Sequence, residues 1–131
     1  MTIYDLYSWR SECWKCKLNT PRVIAANPDY QFNAVDVDEK LGKKMGEKFP
    51  YFQKKRGVWE NWCTHCDAIQ GNFYVKTEEW FVEKASQCES VQEMVNSGIV
   101  THEGEITIDD ENEELSKLKF AYHPVDWVFE A

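Results

Sequence analysis

The chain has 131 residues, of which 43% are hydrophobic and 15% aromatic, including 6 Trp. That composition argues against a disordered chain, and the length suits one domain (1–131) with a core of its own. The net charge is −8, and no apolar run approaches the roughly 20 residues of a membrane-spanning helix.

In chain order, TIYDLYSWRSE (2–12) carries Ile3, Leu6, Tyr7 and Trp9 in rough alternation and reads as a strand. C-W-K-C follows at 13–16. Arg22-Val23-Ile24-Ala25-Ala26 then reads as a returning strand that stops at Asn27-Pro28, so the two strands frame a metal knuckle. Over 36–49, Val37, Leu41, Met45 and Phe49 recur every fourth residue, which predicts a helix. Asp36 with Glu39 resembles a capping box, Gly42 and Gly46 each weaken the helix by about 1 kcal/mol relative to Ala, and Pro50 ends it. This segment reads as an insertion between two knuckles.

GVWENW (57–62) predicts a strand leading into Cys63-Thr64-His65-Cys66, with Asp67 to Gly71 turning the chain and Asn72 to Val75 either pairing back or starting a helical turn. Thr77 is the expected cap of a helix that places Trp80, Phe81, Ala85 and Cys88 on one face. Ser90 with Glu93 forms a second capping-box pattern, and Gly98 suits a helix C-terminus. IVTHEGEITID (99–109) predicts a hairpin turning at Glu103-Gly104. Residues 109–119 read as an acidic short helix or loop. The tail FAYHPVDWVFEA is a candidate last strand, which Pro124 places on an edge or breaks.

Cys13, Cys16, Cys63 and Cys66 stand as two C-x2-C pairs with 46 residues between them. Tetrahedral zinc takes four soft ligands, and two intervening residues let both thiolates of a knuckle reach one ion. The gap exceeds the usual 15 to 20 residues, and the helical insertion accounts for it. The same thiolates suit an iron–sulfur cluster. The alternative chemistry is dithiol redox, which places the first cysteine at a helix N-terminus; Lys17-Leu18-Asn19-Thr20-Pro21 is a poor helix start, while the segment after Cys66 is harder to exclude. Cys88 reads as a small buried thiol. His65 is expected to be exposed or to donate to a thiolate, and His102 and His123 to be surface or packing residues.

ECWKCK, followed by NWCTHCDAIQGNFYV, resembles a group of small bacterial and phage zinc-ribbon proteins. These carry a C-W-x-C pair and a pattern close to C-P-x-C-G-x-x-Q-G-[DN]-[FY]. The similarity covers roughly residues 7–26 and 57–75. Thr64 replaces a common proline and Asp67 a common glycine, and Asp tolerates the left-handed turn moderately well. The resemblance implies a zinc ribbon with Cys13, Cys16, Cys63 and Cys66 as ligands, and no established activity.

The expected fold is therefore α+β: zinc-ribbon-like antiparallel hairpins from 1–26 and 57–75, a helical insertion at 36–49, and an acidic extension, 77–131, with a further helix and hairpin. One structural Zn2+ per chain is expected. Glycine-rich phosphate loops, H-E-x-x-H and G-x-S-x-G are absent, and His65 lacks the H-x-E context of zinc deaminases, so a non-enzymatic binding protein is expected. The acidic run after residue 108 lacks the spacing and glycine of a calcium loop.

The partner is expected to be a macromolecule, protein ahead of nucleic acid. Lys40, Lys43, Lys44, Lys48, Lys54, Lys55 and Arg56, interleaved with Phe49, Tyr51, Phe52, Trp59 and Trp62, form a candidate nucleic-acid surface or else a solvated lysine face. Residues 1–77 carry a balance of +3 and residues 78–131 one of −11. The acidic half is either a solvated face or, as in phage-encoded inhibitors, a block for a basic nucleic-acid-binding protein. The opening residues lack the basic flank and apolar stretch of a signal peptide, so a cytoplasmic location is expected, where five cysteines point to metal or free thiols rather than disulfides.

Overall fold

The computed structural model describes residues 2–27, 35, 37–71 and 78–109. The expectations for Asp36, Asn72 to Val75, Thr77, His123 and the segment after Asp109 lie outside these. Within them the fold is mixed α+β, with antiparallel sheets and three helices.

Strand β1 (Thr2–Glu12) is the centre of a three-stranded sheet. It pairs antiparallel with β2 (Asn19–Ala26) in an uninterrupted register from Asp5↔Ala26 to Glu12↔Asn19. On its other side it pairs with β5 (Thr101–Ile108). Because side chains alternate along a strand, Tyr4, Leu6, Val23 and Ala25 share one face and Tyr7, Trp9, Ile24 and Ala26 the other. Both faces are covered. The first packs on Leu41, Met45 and Phe49, together with Phe52, Ile106 and Ile108. The second packs on Phe81, Ala85, Val91, Met94 and Val100. This explains the rough alternation in β1: its first half buries even positions and its second half odd ones.

Helix α1 (Glu39–Lys48) carries the apolar stripe as expected, with Leu41 and Met45 buried. Its cap is Asp38 rather than Asp36; the Leu41 N–H donates to Asp38 Oδ1 at 2.9 Å. Glu39 accepts from Trp59 Nε1 at 3.0 Å and Lys54 Nζ at 2.9 Å. The chain then forms a short hairpin of β3 (Phe52–Lys54) and β4 (Trp59–Asn61), whose first strand falls within what the sequence presents as a basic–aromatic stretch.

Helix α2 (Glu79–Ser86) starts after Glu78, and Cys88 lies beyond its end, although still buried in the same core. In helix α3 (Val91–Asn96) the expected cap holds: Glu93 N–H donates to Ser90 Oγ at 3.1 Å and Glu89 N–H to Glu93 Oε2 at 2.8 Å. Gly98 follows it with φ +78°, as a C-terminal glycine should. The expected hairpin over 99–109 is instead one continuous strand, β5. Gly104, with φ +101°, makes a bulge where the register against β1 shifts between Leu6 and Tyr7. A glycine able to adopt positive φ serves a bulge as well as a turn, so the Glu-Gly signal misleads.

Candidate metal centre

The β1–β2 hairpin is closed by the first knuckle and the β3–β4 hairpin leads into the second. The two knuckles have the same backbone construction. In the first, Cys13 N–H donates to Leu18 O at 2.9 Å and Lys17 N–H to Cys13 O at 3.1 Å. In the second, Cys63 N–H donates to Ala68 O at 2.9 Å and Asp67 N–H to Cys63 O at 3.0 Å. In both, the N–H two residues on, from Lys15 or His65, donates to the first cysteine's Sγ at 3.3 Å. The residue after each second cysteine is left-handed: Lys17 at φ +66° and Asp67 at φ +60°. Asp67 thus adopts the left-handed turn that the sequence asks it to tolerate.

The four Sγ atoms lie within 4.8 Å of one another. The separations across the knuckles are 3.7 Å for Cys13–Cys66 and 3.6 Å for Cys16–Cys63. Four sulfurs at the zinc–thiolate distance of about 2.3 Å in a tetrahedron stand about 3.8 Å apart. The cluster is therefore of the right size to hold one metal ion. All five cysteines are free of disulfides.

The electrostatics favour a cation. Burial pushes the Cys13 thiol up, but donation from the Cys16 and Lys15 backbones, Gln70 and Cys66 outweighs it and brings it to about 6. Burial likewise opposes the Cys63 thiolate, and the Cys66 and His65 backbone N–H groups bring it below its ordinary value. At Cys16 the Leu18 backbone favours the thiolate, but desolvation and the sulfurs of Cys63, Cys66 and Cys13 push the thiol up to about 12. Some of these sulfurs are thus ready to ionise, and their crowding resists further negative charge. A divalent cation at the centre removes that resistance.

Side chains lock the knuckles to the sheet and to each other. Trp14 Nε1 donates to Ile69 O at 2.5 Å, joining the first knuckle to the second. Thr64 N–H donates to Thr20 Oγ1 at 3.1 Å. The His65 ring lies 2.9 Å from Asn19 O, so this side chain ties the second knuckle to β2, and only its backbone reaches a thiolate.

A contributor not singled out in the sequence is Gln70, which is 1% exposed. Its Nε2 donates to Cys13 Sγ at 3.3 Å and to Ala68 O at 3.0 Å, and its Oε1 accepts from Arg22 Nη2 at 3.1 Å. The signal was present: Gln70 is the glutamine of the Q-G pair in the knuckle pattern.

The seven cations of the candidate nucleic-acid surface do not form a common patch of free charges. Lys40, Lys44 and Lys48, one face of α1, donate to the carbonyls of Asp109, just past β5, and of Thr107 and Glu103 within it. Lys54 pairs with Glu39, Lys55 with Asp67 and Arg56 with Glu60. Lys43 lies on the same helix, near enough to Glu39 to help lower its carboxyl pKa behind the larger effects of Lys54 and Trp59. Phe49 and Phe52 are buried, and Trp59 packs against that core. Cys88 is buried, with its thiol directed at Lys84 O. His102 is partly exposed and pairs with Asp5 at 2.8 Å.

No helix among the described residues is long and apolar enough to cross a membrane. No known protein family, curated protein or solved structure matches the chain.

Proposed function

We propose that this chain is a zinc-ribbon protein, in which one structural Zn2+ held by Cys13, Cys16, Cys63 and Cys66 stabilises a non-enzymatic, protein-binding domain of the cytoplasm. The single observation that carries the metal reading is the tetrahedron-sized cluster of four sulfurs from two matching knuckles. Zinc fits because it takes four thiolates without redox chemistry, and a site filled by four protein ligands keeps no position open for substrate. That closure supports a structural role over catalysis.

Protein is favoured over nucleic acid as partner because six of the seven clustered cations already serve intramolecular acceptors. Trp14 and Leu18, about half exposed on the first knuckle, offer apolar contact area beside the centre.

Native mass spectrometry of the full chain tests the metal reading. One zinc per chain is expected, with loss of the folded charge-state distribution on chelation. A metal-free, fully folded chain overturns it, and a visible absorption band with bound iron replaces zinc by a cluster.

A further inference from the structure

Gln70 sits in a chain of buried polar groups that runs from the metal centre to the start of helix α2. Glu78, the residue preceding α2, accepts from Arg22 Nη1 at 2.6 Å and from Ser11 Oγ. Arg22 is completely buried, and its Nη2 donates to Glu12 O at 2.8 Å and to Gln70 Oε1 at 3.1 Å. Gln70 Nε2 then donates to Cys13 Sγ. The amide has one orientation available to it. Turned over, it would present its carbonyl to both the thiolate and Ala68 O, and its NH2 to a guanidinium.

A buried guanidinium beside Oε1 polarises the amide and strengthens the N–H that faces sulfur. The same guanidinium holds the carboxylate at the N-terminal end of α2, where a negative charge also suits the helix dipole. One buried charge pair therefore serves two ends: it orients the group that hydrogen-bonds a metal ligand, and it pins a helix to the sheet.

We infer that Gln70 is a positioning residue for the Cys13 thiolate and that the Gln70–Arg22–Glu78 chain couples occupancy of the four-cysteine centre to the docking of α2. The centre then acts beyond the knuckles: metal bound at one end of the sheet steadies the helix that covers one of its faces. This rests on the metal reading above, and the experiment separates the two.

The full chain is loaded with Co2+, whose sulfur-to-metal charge-transfer band reports the electron density on the thiolates. Failure of the wild-type chain to develop that band sinks the metal reading itself. With the band present, Gln70→Leu removes the donor. The expected result is a shift of the band to lower energy and a metal affinity weaker by about 10–100-fold. Faster amide exchange across 79–86 is also expected, with the metal still bound. A Gln70 that merely fills space leaves the band in place. An unshifted band, or α2 protection equal to that of the wild type, overturns the inference. Should Gln70→Leu not fold, Gln70→Met, unbranched and of similar length, carries the same two outcomes.

Discussion

The indole of Trp59 occupies the space that a side chain at Gly42 would need. A Cβ built on Gly42 falls 2.3 Å from two of the ring carbons, and one on Gly46 falls 2.9 Å from a third. The ring cannot easily yield, because its Nε1 is bonded to Glu39 and it stacks with Phe52 at 6.1 Å. Read by propensity alone, both glycines are weak points of α1. In the fold they are what lets the β3–β4 hairpin approach the helix.

The first prediction follows from that contact. Gly42→Ala gains about 1 kcal/mol of helix propensity but must displace the indole, an overpacking cost of about 1–3 kcal/mol. The variant is expected to melt below the wild type. Gly42→Ala combined with Trp59→Leu should recover part of the loss, and the non-additivity of the pair in a double-mutant cycle measures the clash. A Gly42→Ala chain more stable than the wild type would show that the ring moves freely.

Asn61 supports a second prediction. Its side chain behaves as a one-residue strand: Oδ1 accepts from Val23 N–H at 2.9 Å and Nδ2 donates to Val23 O at 3.0 Å. It thereby fastens β4, which leads directly into the second knuckle, to β2. Asn61→Ala leaves a buried donor and a buried acceptor unpaired, at a cost of about 2–4 kcal/mol. Chemical denaturation of the metal-loaded chain should register that loss, and Asn61→Asp, which keeps only the acceptor, should be similarly harmed.

A third prediction concerns the lysines of α1. Lys40, Lys44 and Lys48 are spaced at i, i+4 and i+8, and they donate to carbonyls of Glu103 and Thr107 in β5 and of Asp109 just beyond it, β5 being an outer strand of its sheet among the described residues. Covering an edge in this way blocks strand addition by another chain. Replacing all three with Ala should cost little stability, each exposed contact being worth at most about 1 kcal/mol. It should instead produce concentration-dependent association in sedimentation velocity. Wild-type protein is expected to give no electrophoretic shift with single-stranded DNA or RNA at low salt, since the same lysines are engaged within the chain.

What the sequence made legible was whatever repeats at a fixed spacing. The two C-x2-C pairs, the four-residue stripe Val37-Leu41-Met45-Phe49 and the Ser90–Glu93 cap all depend on near neighbours, and the fold contains each. The misreadings share a physical cause: a local pattern was put to another use by a distant partner. Glu39 resembles half of a capping box but is drawn to Trp59 and Lys54. Glu103-Gly104 resembles a turn but is a bulge, because β1 continues alongside it. For the lysine run the sequence leaves a phosphate-binding strip and a solvated face both open, and the placement of β5 beside α1 adds that three of those ammonium groups reach backbone carbonyls. The Q-G pair marks Gln70, but Arg22 and Glu78 carry no mark in the sequence, and no spacing announces the chain of hydrogen bonds that joins the three.

The fourth prediction is the pH at which the centre empties. Protons and metal compete for the same thiolates, so affinity falls as pH falls. The sign at Cys13 is set by its hydrogen bonds, which hold the thiol down at about 6 against an ordinary value of 9.0. A group depressed in the folded state stabilises that state above its unfolded value and loses the benefit as pH drops through the folded one. Cys63 is shifted in the same direction, so these two ligands stay available well below the ordinary thiol range. Cys16, pushed up to about 12 by its neighbours in the metal-free cluster, acts the other way: its neutral thiol suits the empty site, and a cation is needed to ionise it. Metal affinity should therefore fall as pH drops, with zinc release on acidification followed by a chromogenic chelator. Gln70→Leu removes one of the donors that depress Cys13, so its release should begin at higher pH than in the wild type. Coincident release curves would mean that the hydrogen bonds around Cys13 Sγ do not govern proton competition at this centre.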